Sequence, residues 1–295
     1  MIYIPNYSFE YLINNNNTGI EYEYAIFYKL LSKSDQISFR RNVIEKHRKQ
    51  NEIINVIQKI NASTLNHFVH NHFKGEPEKV SLTTQNDNVG PSDIVLNSNN
   101  DWLGLSIKYQ NTCIANISSR HFITDEVRSS MKDKISQICS RYIAEMQNSY
   151  GSADNWFRKR KKSRITDEAI DLLRDEVIAN WRYMTSEHKH EITRMIFHAD
   201  SPIRFWQITL KKKARNIELD IDRSPFYPSD SIQVSLKKYK SSYVAFYANQ
   251  KLIGKMQIKF NNGILENGTN NDHKWHVDGK FIKQGDPFGS WNFNL

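Results

Sequence analysis

Cysteine is almost missing from this chain: two residues, Cys113 and Cys139, in 295. Their separation is not a paired-thiol spacing, which excludes a disulfide framework and a cysteine-based zinc site and points to a reducing compartment. Long apolar runs are missing too. Nowhere do about eighteen apolar residues follow one another, so no membrane-crossing helix is expected. The start, Met1 to Tyr7, lacks the basic region and apolar stretch of a signal peptide, and the expectation is a soluble, cytoplasmic chain. There is no P-loop, dinucleotide fingerprint or nucleophile elbow. His67, His70 and His72, and again His188, His190 and His198, lack the two-ligand helical spacing plus acid of a zincin, which leaves them structural or surface roles. Acid is in short supply: 32 Asp and Glu stand against 41 Lys and Arg, a net charge of +9 and a pI near 9.3. Such an excess attracts polyanions and shortens the search for a phosphate backbone, although ribosome-associated and membrane-surface proteins share it.

The length suffices for one large domain or for a core with an elaborate second lobe. After the run Asn14 to Asn17, residues 19–32 carry Tyr24, Phe27, Tyr28 and Leu31 at helical spacing, with Thr18 as cap and Glu21 and Glu23 at the positive end. Residues 39–60 predict a second amphipathic helix with Val43, Ile44, Ile53, Ile54, Val56 and Ile57 inward, and 65–90 a polar connection. Long helices are expected over 124–149 and about 165–195. From about 203 the period becomes two, and strands are expected at 205–210, 217–221, 232–236, 243–247 and 255–260. This order implies a mixed α/β chain, helices around a central sheet with a β-rich C-terminal region, rather than alternating βαβ units. The basic stretch at 151–164 marks the best boundary. It divides the chain into a core of residues 1–150 and a helical plus antiparallel β region of residues 151–295, either separate from that core or continuous with it.

Gly90-Pro91-Ser92-Asp93-Ile94-Val95-Leu96, then Leu103-Gly104-Leu105-Ser106-Ile107-Lys108, reads as a β-hairpin with an acid near the start of one strand and a lysine near the end of the next. Alternation puts Leu103, Leu105 and Ile107 on one face and Gly104, Ser106 and Lys108 on the other, toward a cleft with Asp93. A carboxylate there suits Mg²⁺, a hard cation that prefers oxygen, and the carbonyl of Ile107 is a natural extra ligand. The lysine would orient an attacking water. The spacing alone also fits a hairpin in which Asp93 caps a strand and Lys108 is simply solvated.

The hairpin resembles the metal-holding motif of the PD-(D/E)XK nuclease superfamily. Gly104 to Asn111, with Ile117-Ser118-Ser119-Arg120-His121 after it, resembles the Gly-(Ile/Leu/Phe)-Ser-x-Lys segment of type II restriction endonucleases of the HaeIII and related HpaII types. Gly19-Ile20-Glu21-Tyr22-Glu23 is similar to the opening Gly-x-x-x-Glu helix of that group. Met195 to Phe205-Trp206 and the strand pair 243–262 are similar to its later segments. Ser106 stands where the usual motif has a second carboxylate, and Glu23 is the candidate to replace it.

The resemblance implies a PD-(D/E)XK core that cuts double-stranded DNA at a short site with Mg²⁺ on Asp93, Glu23 and the Ile107 carbonyl. Lys108 would orient water. Gln110 would assist metal or phosphate, Asn111, Arg120 and His121 would contact DNA, and Lys211, Lys212, Lys237 and Lys259 would line the groove. Arginine suits guanine because its fork is bidentate. A cognate DNA methyltransferase is the implied genetic partner. A twofold site would favour a homodimer, while relatives also include monomers that cut one strand at a time. A silent nucleic-acid-binding scaffold and a less specific repair or defence nuclease, on DNA or RNA, are the competing readings.

Overall fold

The computed structural model describes residues 8–83, 92–110, 113–118, 164–198, 200–201, 203–222, 233–240, 242–260, 264–266, 274–276 and 279–284, with single positions at 137, 141, 144 and 148. They form a mixed α/β protein of two compact units. One draws its described residues from Met1–Thr112 and Asp200–Phe226, the other from Cys113–Ala199 and Tyr227–Asp286. The units do not follow a cut at residue 150, because strands beyond 200 complete the sheet that the hairpin begins.

In the first unit, α1 (Phe9–Asn14) is capped by the Ser8 hydroxyl, which accepts from the Tyr11 amide. Helix α2 (Ile20–Leu30) begins at Gly19 and not at Thr18. Gly19 has φ 93°, a left-handed conformation that only glycine takes freely, and its carbonyl accepts from the amides of Tyr22 and Glu23. The buried face of α2 carries Ile20, Tyr24, Ala25, Ile26, Phe27 and Leu30; each large side chain there contributes about 1.5–3 kcal/mol of burial.

The single helix expected over 39–60 is instead α3 (Lys33–Asn42), a 3-10 turn (Ile44–Lys46) and α4 (Gln50–Lys59). His47 makes the break. Its backbone is extended, its Nδ1 accepts from the Lys49 amide at 3.0 Å, and its Nε2, left with the proton, donates to the Asn15 carbonyl at 2.7 Å. The expected polar connection contains α5 (Ser63–Phe73) and β1 (Lys79–Leu82).

The first unit's sheet has the order β1-β2-β3-β5-β6, with β2 Ile94–Ser98, β3 Asp101–Tyr109, β5 Phe205–Lys213 and β6 Asn216–Asp222. All neighbours are antiparallel except β3 and β5, which run parallel. Leu103, Leu105 and Ile107 join Ile208, Leu210, Ile217 and Leu219 in one core with the apolar faces of α2, α4 and α5. The other face is polar yet buried near its middle: Ser81, Ser106, Gln207 and Thr209 are all at most 5 % exposed.

In the second unit, the helix expected over 165–195 is two: α6 (Arg164–Tyr183) and α7 (Ser186–Ile196). Thr185 caps the second, its hydroxyl accepting from the His188 amide. The sheet is antiparallel throughout, in the order β4-β12-β9-β8-β7 (β4 Cys113–Ser118, β7 Val234–Tyr239, β8 Tyr243–Ala248, β9 Lys251–Phe260, β12 Gly279–Gln284). A separate ribbon pairs β10 (Ile264–Glu266) with β11 (Lys274–His276). Helix α6 packs on β7, β8 and β9. The Trp181 indole donates to the Val234 carbonyl at 2.9 Å and meets Phe246 edge-on. The helix expected over 124–149 lies outside the described residues, except that Gln137, Arg141, Ala144 and Asn148 are helical and exposed. No helix among the described residues is long and apolar enough to cross a membrane.

Candidate active site

The hairpin forms in the expected register, with Ile94 opposite Leu105 and Ser98 opposite Asp101. Gly104 is required by close approach rather than by a turn. A Cβ there would sit 2.1 Å from the Ser92 hydroxyl oxygen and 3.1 Å from the Phe205 Cβ. The missing side chain lets the Ser92–Asp93 corner and β5 close on the strand.

Asp93 is fastened at that corner. Its amide donates to the Leu105 carbonyl at 2.8 Å, and its carbonyl accepts from the Thr83 amide at 2.9 Å. The Thr83 hydroxyl also donates to the Ser92 carbonyl. The Asp93 carboxylate accepts from the Ile107 amide at 2.6 Å. In a strand the N–H and C=O of one residue share an edge. The Ile107 carbonyl therefore lies on the edge of β3 that faces Asp93.

Glu23 comes to this corner from the first turn of α2, which packs on β1 and β3. Burial, the negative charge of Asp93 and that of Glu21 push the Glu23 carboxyl up to about 8, against the opposing pull of Lys108 and Lys49. The helix N-terminus favours a carboxylate, and burial and Asp93 outweigh it here. Lys49 is held 2.9 Å from Glu21 and pins the turn of the helix that carries both acids. Among the described residues Glu23 and Lys108 make no hydrogen bond and no ion pair within 4.0 Å, and both are half-buried. Asp93, Glu23, Lys108 and the Ile107 carbonyl are thus brought to one corner of one sheet.

Ser106 is not where a cleft-facing residue would be. It is fully buried, and its hydroxyl has no partner among the described residues. Beside it on β5 lies Gln207, and beside Lys108 lies Thr209; the Gln207 side-chain amide donates to the Thr209 hydroxyl at 3.0 Å. Alternation exposes a strand face only where nothing packs on it, and the middle of this polar face is buried.

Two features went unread in the sequence. Tyr22 and Tyr109, the neighbours of Glu23 and Lys108, stack at 4.0 Å with their planes 11° apart. Burial, the hydrogen bond with Tyr109 and the charges of Tyr109 and Glu21 push the Tyr22 phenol up. The parallel pairing of β5, itself an expected strand, with β3 was the other. Both join residues far apart in the chain, 22 with 109 and 104–109 with 205–210, so neither leaves a local signal.

The expected DNA contacts separate. Gln110 is exposed at φ 50°, its amide side chain donating to the Tyr109 hydroxyl at 3.2 Å. Lys211 pairs with Asp220 and Lys213 with Glu218, while Lys212 is exposed. Lys237 and Lys259 belong to the second unit, and the Lys259 side chain lies outside the described ones. Asn111, Arg120 and His121 also lie outside the described residues.

Among the described residues no group of three or more His, Cys, Asp or Glu side chains is placed to hold a metal. Mg²⁺ does not need one: it commonly takes one or two carboxylates and completes its shell with water and phosphate oxygens. Two carboxyl groups close enough for the charge of Asp93 to oppose ionisation of Glu23, beside a carbonyl edge, match that donor set. The chain matches no protein-family model, no curated protein and no solved structure, so the chemistry of this corner is what speaks to function.

Proposed function

We propose that this chain is a Mg²⁺-dependent DNA endonuclease of the type II restriction kind, built on a PD-(D/E)XK core and hydrolysing phosphodiester bonds in double-stranded DNA at a defined site. The observation that carries the reading is the meeting of Glu23 and Asp93, seventy residues apart in sequence, with Lys108 close enough to act on the Glu23 carboxyl.

In this reading Asp93, Glu23 and the Ile107 carbonyl hold the cation. When bound, Mg²⁺ supplies an acidified water and positive charge against the phosphate. Asp93 keeps its orientation through the Ile107 amide, which donates to its carboxylate. Glu23 would hold the cation as a carboxylate, the cation's charge offsetting its burial and the repulsion of Asp93. Lys108 acts on Glu23 through space without a hydrogen bond or close ion pair among the described residues, so its ammonium can hold the attacking water or a non-bridging phosphate oxygen. The net charge of +9 supports a polyanionic substrate.

Incubation of the purified protein with a sequenced plasmid, with Mg²⁺ and with EDTA, followed by sequencing of the ends, tests this reading. Reproducible ends that appear only with Mg²⁺ are expected. A smear without defined ends would replace site-specific cutting with a less specific nuclease. One observation favours a second reading, a silent DNA-binding scaffold: position 106 is a fully buried serine rather than a second acid. Salt-sensitive DNA binding with no scission under any divalent cation would establish that alternative.

A further inference from the structure

The five-stranded sheet of the second unit contains no Asp or Glu on any strand, while it carries two lysines on β7, three on β9 and two on β12. The first unit's sheet is different, because two lysines of β5, Lys211 and Lys213, are matched by acids of β6. On the second sheet the helix-covered face holds Leu236, Val244, Phe246 and Met256, all buried. Lys238 at its margin is neutralised by Asp175 of α6 at 2.6 Å.

The opposite face has another composition. Cross-strand register sets Ser235 against Tyr247, Lys237 against Ala245, Tyr239 against Tyr243, and then Tyr243 against Gln257 and Ala245 against Lys255. The Lys237 ammonium lies 5.2 Å from the centre of the Tyr247 ring, and that of Lys255 lies 5.1 Å from the centre of Tyr243. A cation over a ring keeps its charge and much of its hydration while losing reach and freedom. Lys237 is exposed and has no ion-pair partner among the described residues. Tyrosine hydroxyls and lysine ammoniums are both donors to phosphate oxygens. The rings already carry lysines on their faces, which disfavours base stacking and favours contact with a backbone. Among the described residues no aliphatic side chain is exposed on β7, β8 or β9, which argues against a membrane surface.

We propose that this tyrosine–lysine face binds the phosphate backbone of duplex DNA, positioning it without reading bases. The inference deepens the nucleic-acid reading above but uses none of Glu23, Asp93 or Lys108, so it can fail or hold independently of cleavage.

The test is binding of the full chain to a labelled 20-base-pair duplex in EDTA, by fluorescence anisotropy across a salt series. Each phosphate contact contributes about 0.9 to the slope of log affinity against log salt. Lys237→Ala with Lys255→Ala is expected to lower that slope by about two and to weaken binding roughly fivefold to tenfold per lysine at 0.1 M salt. Thermal melts check folding. If the double variant fails to fold, Lys237→Gln alone, at an exposed position, is expected to lower the slope by about one. Wild-type slope and affinity in a folded variant would overturn the proposal. So would tighter binding of a 20-nucleotide single strand that Tyr247→Leu abolishes, which would make the face a base-stacking platform. Equal binding to phosphatidylserine vesicles, lost in the same variants, would assign it to membranes instead. Loss of Mg²⁺-dependent scission with this binding intact would strike the cleavage reading alone.

Discussion

Glu23 keeps its proton up to about pH 8 in the folded chain, while an ordinary glutamate releases it near 4.5. Between those values the native state binds more protons than the unfolded state, so stability falls as pH rises through the window and the loss is complete above it. The loss should be on the order of 3 kcal/mol in EDTA. Melts from pH 5 to pH 9 should show it in the wild type and should show little of it in Glu23→Gln, whose amide cannot ionise. Added Mg²⁺ should raise the wild-type Tm most at the alkaline end and leave the Gln variant nearly unmoved. Parallel pH profiles for the two proteins would remove Glu23 from the corner. The hairpin that carries Asp93 and Lys108 and the helix that carries Glu23 were legible from their residue patterns. The burial of Ser106 was not, because a period of two says which face a side chain takes and not what lies above that face. The Tyr22–Tyr109 stack joins residues 87 positions apart and leaves no local trace.

At the scale of elements, β3 does the positioning: its edge fastens Asp93, its end carries Lys108, and its flank pairs with β5. Gly104 is the residue on which that closure depends. Gly104→Ala forces the new methyl against the Ser92 hydroxyl and the Phe205 Cβ and should cost about 1–3 kcal/mol. Urea denaturation checks the magnitude. Ser92→Gly on top of it should recover some of the loss, whereas full wild-type stability in Gly104→Ala would mean that the corner is looser than described. The β-rich half was largely legible, because Ile208, Leu210, Ile217, Leu219, Val234 and Leu236 alternate cleanly with polar residues. Helix α2, the 39–60 region and the 165–195 region were legible as helical in place but not in extent, while α1 and α5 were not read. His47 ends one by bonding to Asn15, 32 residues away, and Thr185 caps another inside a continuous apolar pattern. Helix α5 offers only Leu65 and Val69 as buried residues among asparagines and histidines. The parallel pairing of β3 with β5 joins segments about a hundred residues apart, and no local pattern encodes it.

For the whole molecule, the charge excess is unevenly used. The first unit matches lysines of β5 with acids of β6, and the second carries a sheet without acids. A single net charge of +9 concealed that difference. The corner where Glu23, Asp93 and Lys108 meet is most directly tested by Lys108→Ala. The measurement is cleavage of a plasmid with Mg²⁺, alongside duplex binding in EDTA and a thermal melt of the same preparation. Scission should fall at least about a hundredfold, the scale of a lost acid–base or water-positioning group, with DNA affinity and Tm close to wild type. Undiminished cutting by a folded Lys108→Ala protein would contradict the assignment of this corner as the catalytic centre.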